Sequence, residues 1–391
     1  MTLQTANHQQ LWSDHDQAWR HPAEALSQWA NIQEISPALF ECTIRGDWVD
    51  ILVRRDITLF VTREYEHMII GLGVEGSAMR TSYLPLPHPS GLAADRDSNR
   101  LYVASTRNPN QIWQLAAVSA TIPRLDVACP APTDRPLIPV TAKFLPGCSY
   151  IHDLALINGQ LFANSVGQNA VVCLGQDDTP VRVWWPRCIE TKDGPVFGQN
   201  HIQLNSIAAG ATIDQSFFSA SSDQITTKRP GDPDYPVDRR GVVFSGATRE
   251  PIVRGLTRPH SARLHENKLW LANSGYGEFG CIVDSEFCTV SKLPGWTRGL
   301  CFVDDIAFVG TSRVLPRFRQ YAPGLDIDSS QCGIHAIDIK SGNLLGSITW
   351  PAGNQIFSIE WLSARTTAGL PFDLACPKNA RSDLFYCYDP A

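Results

Sequence analysis

The sequence predicts an all-β protein, a six-bladed β-propeller with an N-terminal helical appendage over residues 1–35 and a propeller over 36–391. Three observations predict it. A strand–turn–strand unit recurs along the chain, its copies are spaced as propeller blades, and an orphan strand near the C-terminus can complete three N-terminal strands.

The clearest copy runs from Arg258 to Val283, RPHSARLHENKLWLANSGYGEFGCIV. Short apolar runs separated by Asn, Asp and Gly turns read as antiparallel hairpins. Related copies begin near Pro89, Ile151, Asn205, Arg298 and Phe357. Taking the residue that opens each first strand gives six anchors: Ser90, His152, Asn205, His260, Arg298 and Phe357. Their spacings of 62, 53, 55, 38 and 59 residues match a four-stranded blade of about 40 to 50 residues with inserted loops.

From the N-terminus, residues 8–31 are polar with a Leu11, Trp19, Leu26, Trp29 stripe, which suggests helix packed outside the ring and a surface for a protein partner. Residues 47–54 suit helix or strand. Three strands should follow at 58–62, 67–72 and 80–86, and the strand after Phe357 supplies their inner partner, so the ring closes without a free edge. Six blades result.

Composition narrows the function. Hydrophobic residues make up 43%, charged residues 18%, and the net charge is -6, which argues against a nucleic-acid partner. No apolar run is long enough to span a membrane and no signal peptide opens the chain, so a cytoplasmic location is expected. The 11 cysteines form no C-x-x-C pair, and Cys173, Cys281 and Cys301 read as strand core. No G-x-S-x-G is present, and Gly71-Leu72-Gly73 lacks the strand–helix setting that a nucleotide cofactor needs.

Up-and-down strand order places two long loops, 222–240 and 312–331, over the face that carries the anchors, as a lid rich in Lys228, Arg229, Arg239, Arg240, Arg313, Arg317 and Arg319. The anchors should converge on the axis. Two residues earlier lies a mouth row of His88, Tyr150, Gln203, Arg258, Trp296 and Gln355; two residues later, Leu92, Leu154, Ile207, Ala262, Leu300 and Ile359 suggest an apolar floor. A polar ring above an apolar base suits a small-molecule substrate.

Within that pocket His152, His260, Arg298 and Tyr150 are the candidate catalytic residues. Ser90, Asn205, Gln203, Arg258, Trp296, Arg240 and Arg313 are candidate substrate contacts. His152, His260 and Asn205 offer two imidazoles and an amide oxygen to one zinc- or iron-like ion, with His201 or His88 as a third histidine. Asp153 would orient His152. A metal-free pocket using His152 or His260 as acid or base is the other reading. His265 lies in a turn and reads as exposed, His335 as core, and Trp184-Trp185 as packing.

The blocks TREYEHMIIGLG, IHDLAL, HIQLNSIA, RPHSARLHENKLWLANSGYGEFG, LPGWTRGLCFVDDIAFVGTSR, CGIHAIDIKSG and NQIFSIEWL, in order across residues 36–362, resemble a bacterial propeller family of conserved proteins of unknown function. The resemblance implies the fold and the alignment of His152, Asn205, His260 and Arg298, but no reaction. The loop at 222–240 and the appendage depart from it. A looser analogy links the two-histidine, arginine-bearing row to peptidyl-hydroxyglycine lyases, and less closely to gluconolactonase-like propellers. The expectation is an enzyme, lyase- or hydrolase-type, acting on a small polar or anionic substrate; a non-catalytic binding or scaffold propeller is the alternative.

Overall fold

The structure is a computed structural model that describes residues 35–107, 110–117, 121–123, 135–147, 149–175, 179–228, 232, 234–373 and 386–388, together with 9, 10 and 13. The expected appendage lies outside the described residues but for those three.

Six antiparallel sheets form the predicted propeller. Their inner strands are Ser358–Ser363, Pro89–Asp95, Ile151–Ile157, Leu204–Ala208, Pro259–His265 and Trp296–Val303, numbered here as blades 1 to 6, and each touches the next around a complete ring. Blade 1 joins the two ends of the chain. Ser358–Ser363 pairs with Ile57–Arg63, from Ile57 opposite Ser363 to Thr62 opposite Ser358, and Met68–Glu75 and Ala78–Pro85 follow outward. Two sheets gain a fifth strand at the rim, Phe372–Asp373 on blade 1 and Thr43–Gly46 on blade 6.

Residues Trp48–Arg55 settle as a helix. Trp48, Ile51 and Leu52 recur at helical spacing and are buried against blades 6 and 1, while Asp56 ends the helix in the left-handed region.

The apolar floor is where the structure departs from expectation. Leu92, Leu154, Ile207, Ala262, Leu300 and Ile359 are all buried, yet each belongs to a different apolar cluster, one in each of the six seams between blades. The reason is geometric. An inner strand turns its backbone edge to the axis, so ordinary alternation sends its side chains into the two flanking seams. These residues therefore hold the blades together, each burial worth about 1.5–3 kcal/mol for a Leu or Ile, and none forms the base of an axial pocket.

Candidate functional site at the propeller axis

What turns the anchors inward is a break in the ladder. The pairing of the first two strands shifts register between Pro89 and Leu92, Ile151 and Leu154, Leu204 and Ser206, His260 and Arg263, and Thr297 and Leu300. Every shift falls at or beside an anchor. An extra residue in one strand bends it and re-aims a side chain, so five blades present one residue each to the axis.

Contacts across the ring bring four of the anchors together. The His152 ring of blade 3 lies 6.2 Å from that of His260 in blade 5 and 5.4 Å from that of Phe357 in blade 1. Arg298 of blade 6 lies over the Phe357 ring, 3.3 Å from its centroid. The shorter anchors brace neighbouring blades: Ser90 Oγ donates to Ile151 O at 2.8 Å, and Asn205 Nδ2 donates to Pro259 O at 2.9 Å and Ser221 Oγ at 3.0 Å. The remaining polar atom of Asn205, Oδ1, is buried and faces the His152 side chain.

The mouth row lies directly above. His88, Tyr150, Gln203 and Arg258 all have left-handed backbones, with φ of 46, 49, 47 and 53°. For non-glycine residues this costs about 1 kcal/mol each, and four equivalent positions share it, so the ring of blades holds these side chains in a fixed pose. Arg258 Nη1 donates to Gln203 Oε1 at 2.6 Å while its guanidinium covers the Tyr321 ring at 4.2 Å. Tyr150 sets its ring 4.6 Å from His152, and Trp296 lies 5.6 Å from His260. Gln355, with its amide oriented to accept from Arg298 Nη1 at 3.1 Å and to donate to Glu64 Oε2 at 3.0 Å, links the arginine to a buried carboxylate.

Both long loops cover this mouth. Tyr235 and Val237 from the first, and Phe318 and Tyr321 from the second, pack with Trp296 in one apolar cluster, and Gln320 Nε2 donates to Asp232 O across the two loops. The loop cations divide. Arg317 reaches over the Tyr65 ring at 5.1 Å, whereas Arg240 is exposed and bonded to Gln224, and Arg313 lines a separate cavity of about 700 Å³ between blades 5 and 6. Arg229 lies outside the described residues. The structure thus does not bring Arg240 or Arg313 to the axis.

Asp153 does not orient His152. Its carboxylate takes Arg263 at 2.7 and 3.0 Å and the Ile207 N–H at 3.0 Å, a clamp across blades 3, 4 and 5. His88 sets its ring 4.4 Å from His67, and His201 is buried with its backbone N–H on Asn169. Trp184 is core, stacked on Phe218 at 4.0 Å. His265 is only half exposed, stacked on Phe302 at 4.3 Å, and Cys173 is half-buried.

The electrostatics follow from burial. Dehydration, and then the charges of Arg298 and its neighbours, hold both His152 and His260 well below the ordinary imidazole value, so both are neutral. Dehydration also lowers Arg298 to about 10, against the opposing pull of Glu64. Arg298 Nη2 and Arg258 Nε are buried donors without a partner among the described residues; His260 Nε2 and His152 Nδ1 are buried atoms in the same condition. The unused acceptors suit a zinc- or iron-like ion in donor type, but the charges do not: the row has no carboxylate, and two guanidiniums flank the imidazoles. Among the described residues no three His, Cys, Asp or Glu side chains are grouped to hold a metal.

Glu64, Arg107, Tyr65 and Tyr321 complete the surroundings and were not legible as site residues. The signal for the first was the charge-rich run REYE, Arg63-Glu64-Tyr65-Glu66, at the end of an otherwise apolar strand.

The family model of a domain of unknown function, DUF4915, matches residues 46–370. The chain belongs to this family. No curated protein is similar enough to match it. Among solved structures, a chain of the nidogen–laminin complex superposes with a TM-score of 0.51 at 10% identity, over 78% of this chain and 98% of that one. A gluconolactonase from Xanthomonas campestris gives 0.42 at 15% identity, over 68% and 77%. A catalytically inactive virginiamycin B lyase from Staphylococcus aureus, with quinupristin, gives 0.37 at 11%, over 79% and 99%. At these identities the likeness is one of fold, and the DUF4915 site has to be read from its own residues.

Proposed function

We propose that the axial site binds and transforms a small organic anion that also carries hydroxyl or amino groups, by metal-free acid–base chemistry of the lyase or hydrolase type. The observation that carries this reading is the co-location of unused donors on two buried guanidiniums with the unused lone pair of His260 Nε2. A carboxylate or phosphate satisfies the first set, and O–H or N–H groups satisfy the second.

The residues then divide the work. Arg298, held flat on Phe357, and Arg258, held on Tyr321, fix the anionic group by their N–H edges. His260 takes a proton at Nε2; dehydration, and then the adjacent arginines, keep the imidazole neutral and its lone pair open at neutral pH. Tyr150 is the proton donor on the opposite side, next to His152. Loops 222–240 and 312–331 keep water from the reacting groups.

The test is turnover of a panel of small hydroxy and amino carboxylates by the wild type, Arg298→Ala and His260→Ala. Turnover lost in both variants, with binding lost only in Arg298→Ala, supports the reading. Saturable binding without turnover of any compound would replace it with a non-catalytic binding propeller. The unused acceptors also favour a second reading, in which His152, His260 and Asn205 hold a divalent ion. One equivalent of zinc or iron in untagged protein, lost in His152→Ala/His260→Ala, would put that reading first.

A further inference from the structure

Blade 6 has two unlike faces. Toward blade 1 its strands Cys332–Asp338 and Leu344–Trp350 present Ile334, Ala336, Ile348 and Trp350, all in the main apolar core. Toward blade 5 the same strands carry Gly333, His335, Ser347 and Thr349, which are their neighbours in the alternation. The added rim strand continues this polar face, with Thr43 opposite Thr349 and Arg45 opposite Ser347.

A polar face is ordinary where a sheet meets solvent, but this one meets another blade. The inner part of the seam is closed by an apolar cluster that includes Trp270, Phe279 and Val309. Beside this cluster the two blades leave a gap. The cavity of about 700 Å³ opens there, between Ser291, Lys292 and Leu293 of blade 5 and His335, Ser347 and Thr349 of blade 6. Its size lies in the range of small-molecule sites.

Two features make it a built site. His335 is 3% exposed, its Nε2 is bonded to Thr311 Oγ1 at 3.0 Å, and its Nδ1 is buried without a hydrogen bond among the described residues. A buried polar atom left in this state costs about 1–3 kcal/mol unless something binds it. The charge is also one-sided. Arg45, Lys292 and Arg313 line the cavity, and no described lining residue is acidic, although Lys292 also lies 3.7 Å from Glu278 outside the lining.

We propose that this seam is a second ligand site, separate from the axis, for a small polyhydroxylated anion of the sugar-phosphate or sugar-acid class. The arginines and lysine at its outer end take the anionic group, and the hydroxyls of Thr43, Ser347 and Thr349 with His335 take the polyol.

Isothermal titration of the full chain with glucose 6-phosphate tests it, with inorganic phosphate and glucose as the two halves of the probe. Saturable one-site binding is expected, at least tenfold tighter than to either half. Arg45→Glu, an exposed change that leaves the blade intact, should weaken it at least tenfold. Ser347→Phe, which fills the seam, should abolish it, with an unchanged circular dichroism spectrum as the check on folding. Arg298→Ala at the axis should leave it unaltered. Three results would overturn the proposal: no saturable binding to the wild type, binding indifferent to Arg45→Glu and Ser347→Phe, or loss in Arg298→Ala. The last would assign the probe to the axial site.

Discussion

His260 donates its Nδ1 proton to the carbonyl oxygen of Arg258, 2.8 Å away. A carbonyl can only accept, so the contact fixes the tautomer and leaves Nε2 as a bare lone pair inside the axial site. The residue that supplies this carbonyl also supplies one of the two buried guanidiniums. Blade 5 therefore delivers an imidazole lone pair and a guanidinium from one strand entrance, and the backbone at Arg258 between them is left-handed.

The first prediction concerns that tautomer. Nitrogen-15 spectra of ring-labelled protein should show His260 as the Nδ1–H form with an acceptor-type Nε2. It should stay so from pH 8 down to well below 6.5, because dehydration and Arg298 both oppose the imidazolium. An imidazolium signal for His260 at pH 7 would contradict the assignment of a base.

The second concerns ligand binding at high pH. An anion held by Arg298 needs the guanidinium charged, and burial lowers this group to about 10. Affinity for small carboxylates should therefore be flat from neutrality upward and fall about tenfold per pH unit above 10. Arg298→Lys keeps a charge but loses the planar stacking on Phe357 and the two-pronged edge, so affinity should fall by one to two orders of magnitude even at pH 7.

The third concerns acid stability. His152, His260 and His335 are buried and all lie below their unfolded value of 6.5, His335 at about 4. The unfolded chain binds more protons than the folded one in this window, so stability declines as pH falls below 6.5. For His335 the decline continues to about pH 4 and amounts to about 3 kcal/mol. Urea unfolding at pH 7, 6, 5 and 4 should show the loss, and His335→Gln should make the curve shallower.

The blades, their number and the anchor row could be read from the sequence because hairpin turns and period-two alternation are local signals. The misplaced floor shows where such signals stop. Leu92 and its five counterparts stand two residues after an anchor, so alternation alone groups them with it. In five of the six blades a bulge at the anchor is set by pairing with a second strand, and a one-residue shift sends a side chain to the other face. Arg313 and Arg240 went astray for a related reason. Loop lengths indicate the face a loop covers, but which of its cations points inward depends on contacts far apart in sequence, such as that between Trp296 and Phe318. Glu64 escaped notice because its hydrogen-bonded link to the axis runs through Gln355, 291 residues away in the chain.

The last prediction concerns the clamp beneath the site. Asp153 follows His152 directly, and its carboxylate is held by both terminal nitrogens of Arg263, three residues after His260. The pair is nearly buried, with side chains 5% and 14% exposed, and the Ile207 N–H of the blade between them completes it. Removing one partner leaves a charge stranded in the seam, which costs about 3–5 kcal/mol. Asp153→Ala and Arg263→Ala should each lower stability by this amount in urea unfolding. The double variant Asp153→Leu/Arg263→Met leaves no stranded charge and should lose far less than the sum. Its axial affinity should still drop, because the clamp sets the spacing of the two strands that carry His152 and His260. A double variant with restored stability and unchanged affinity would limit the clamp to holding the blades together.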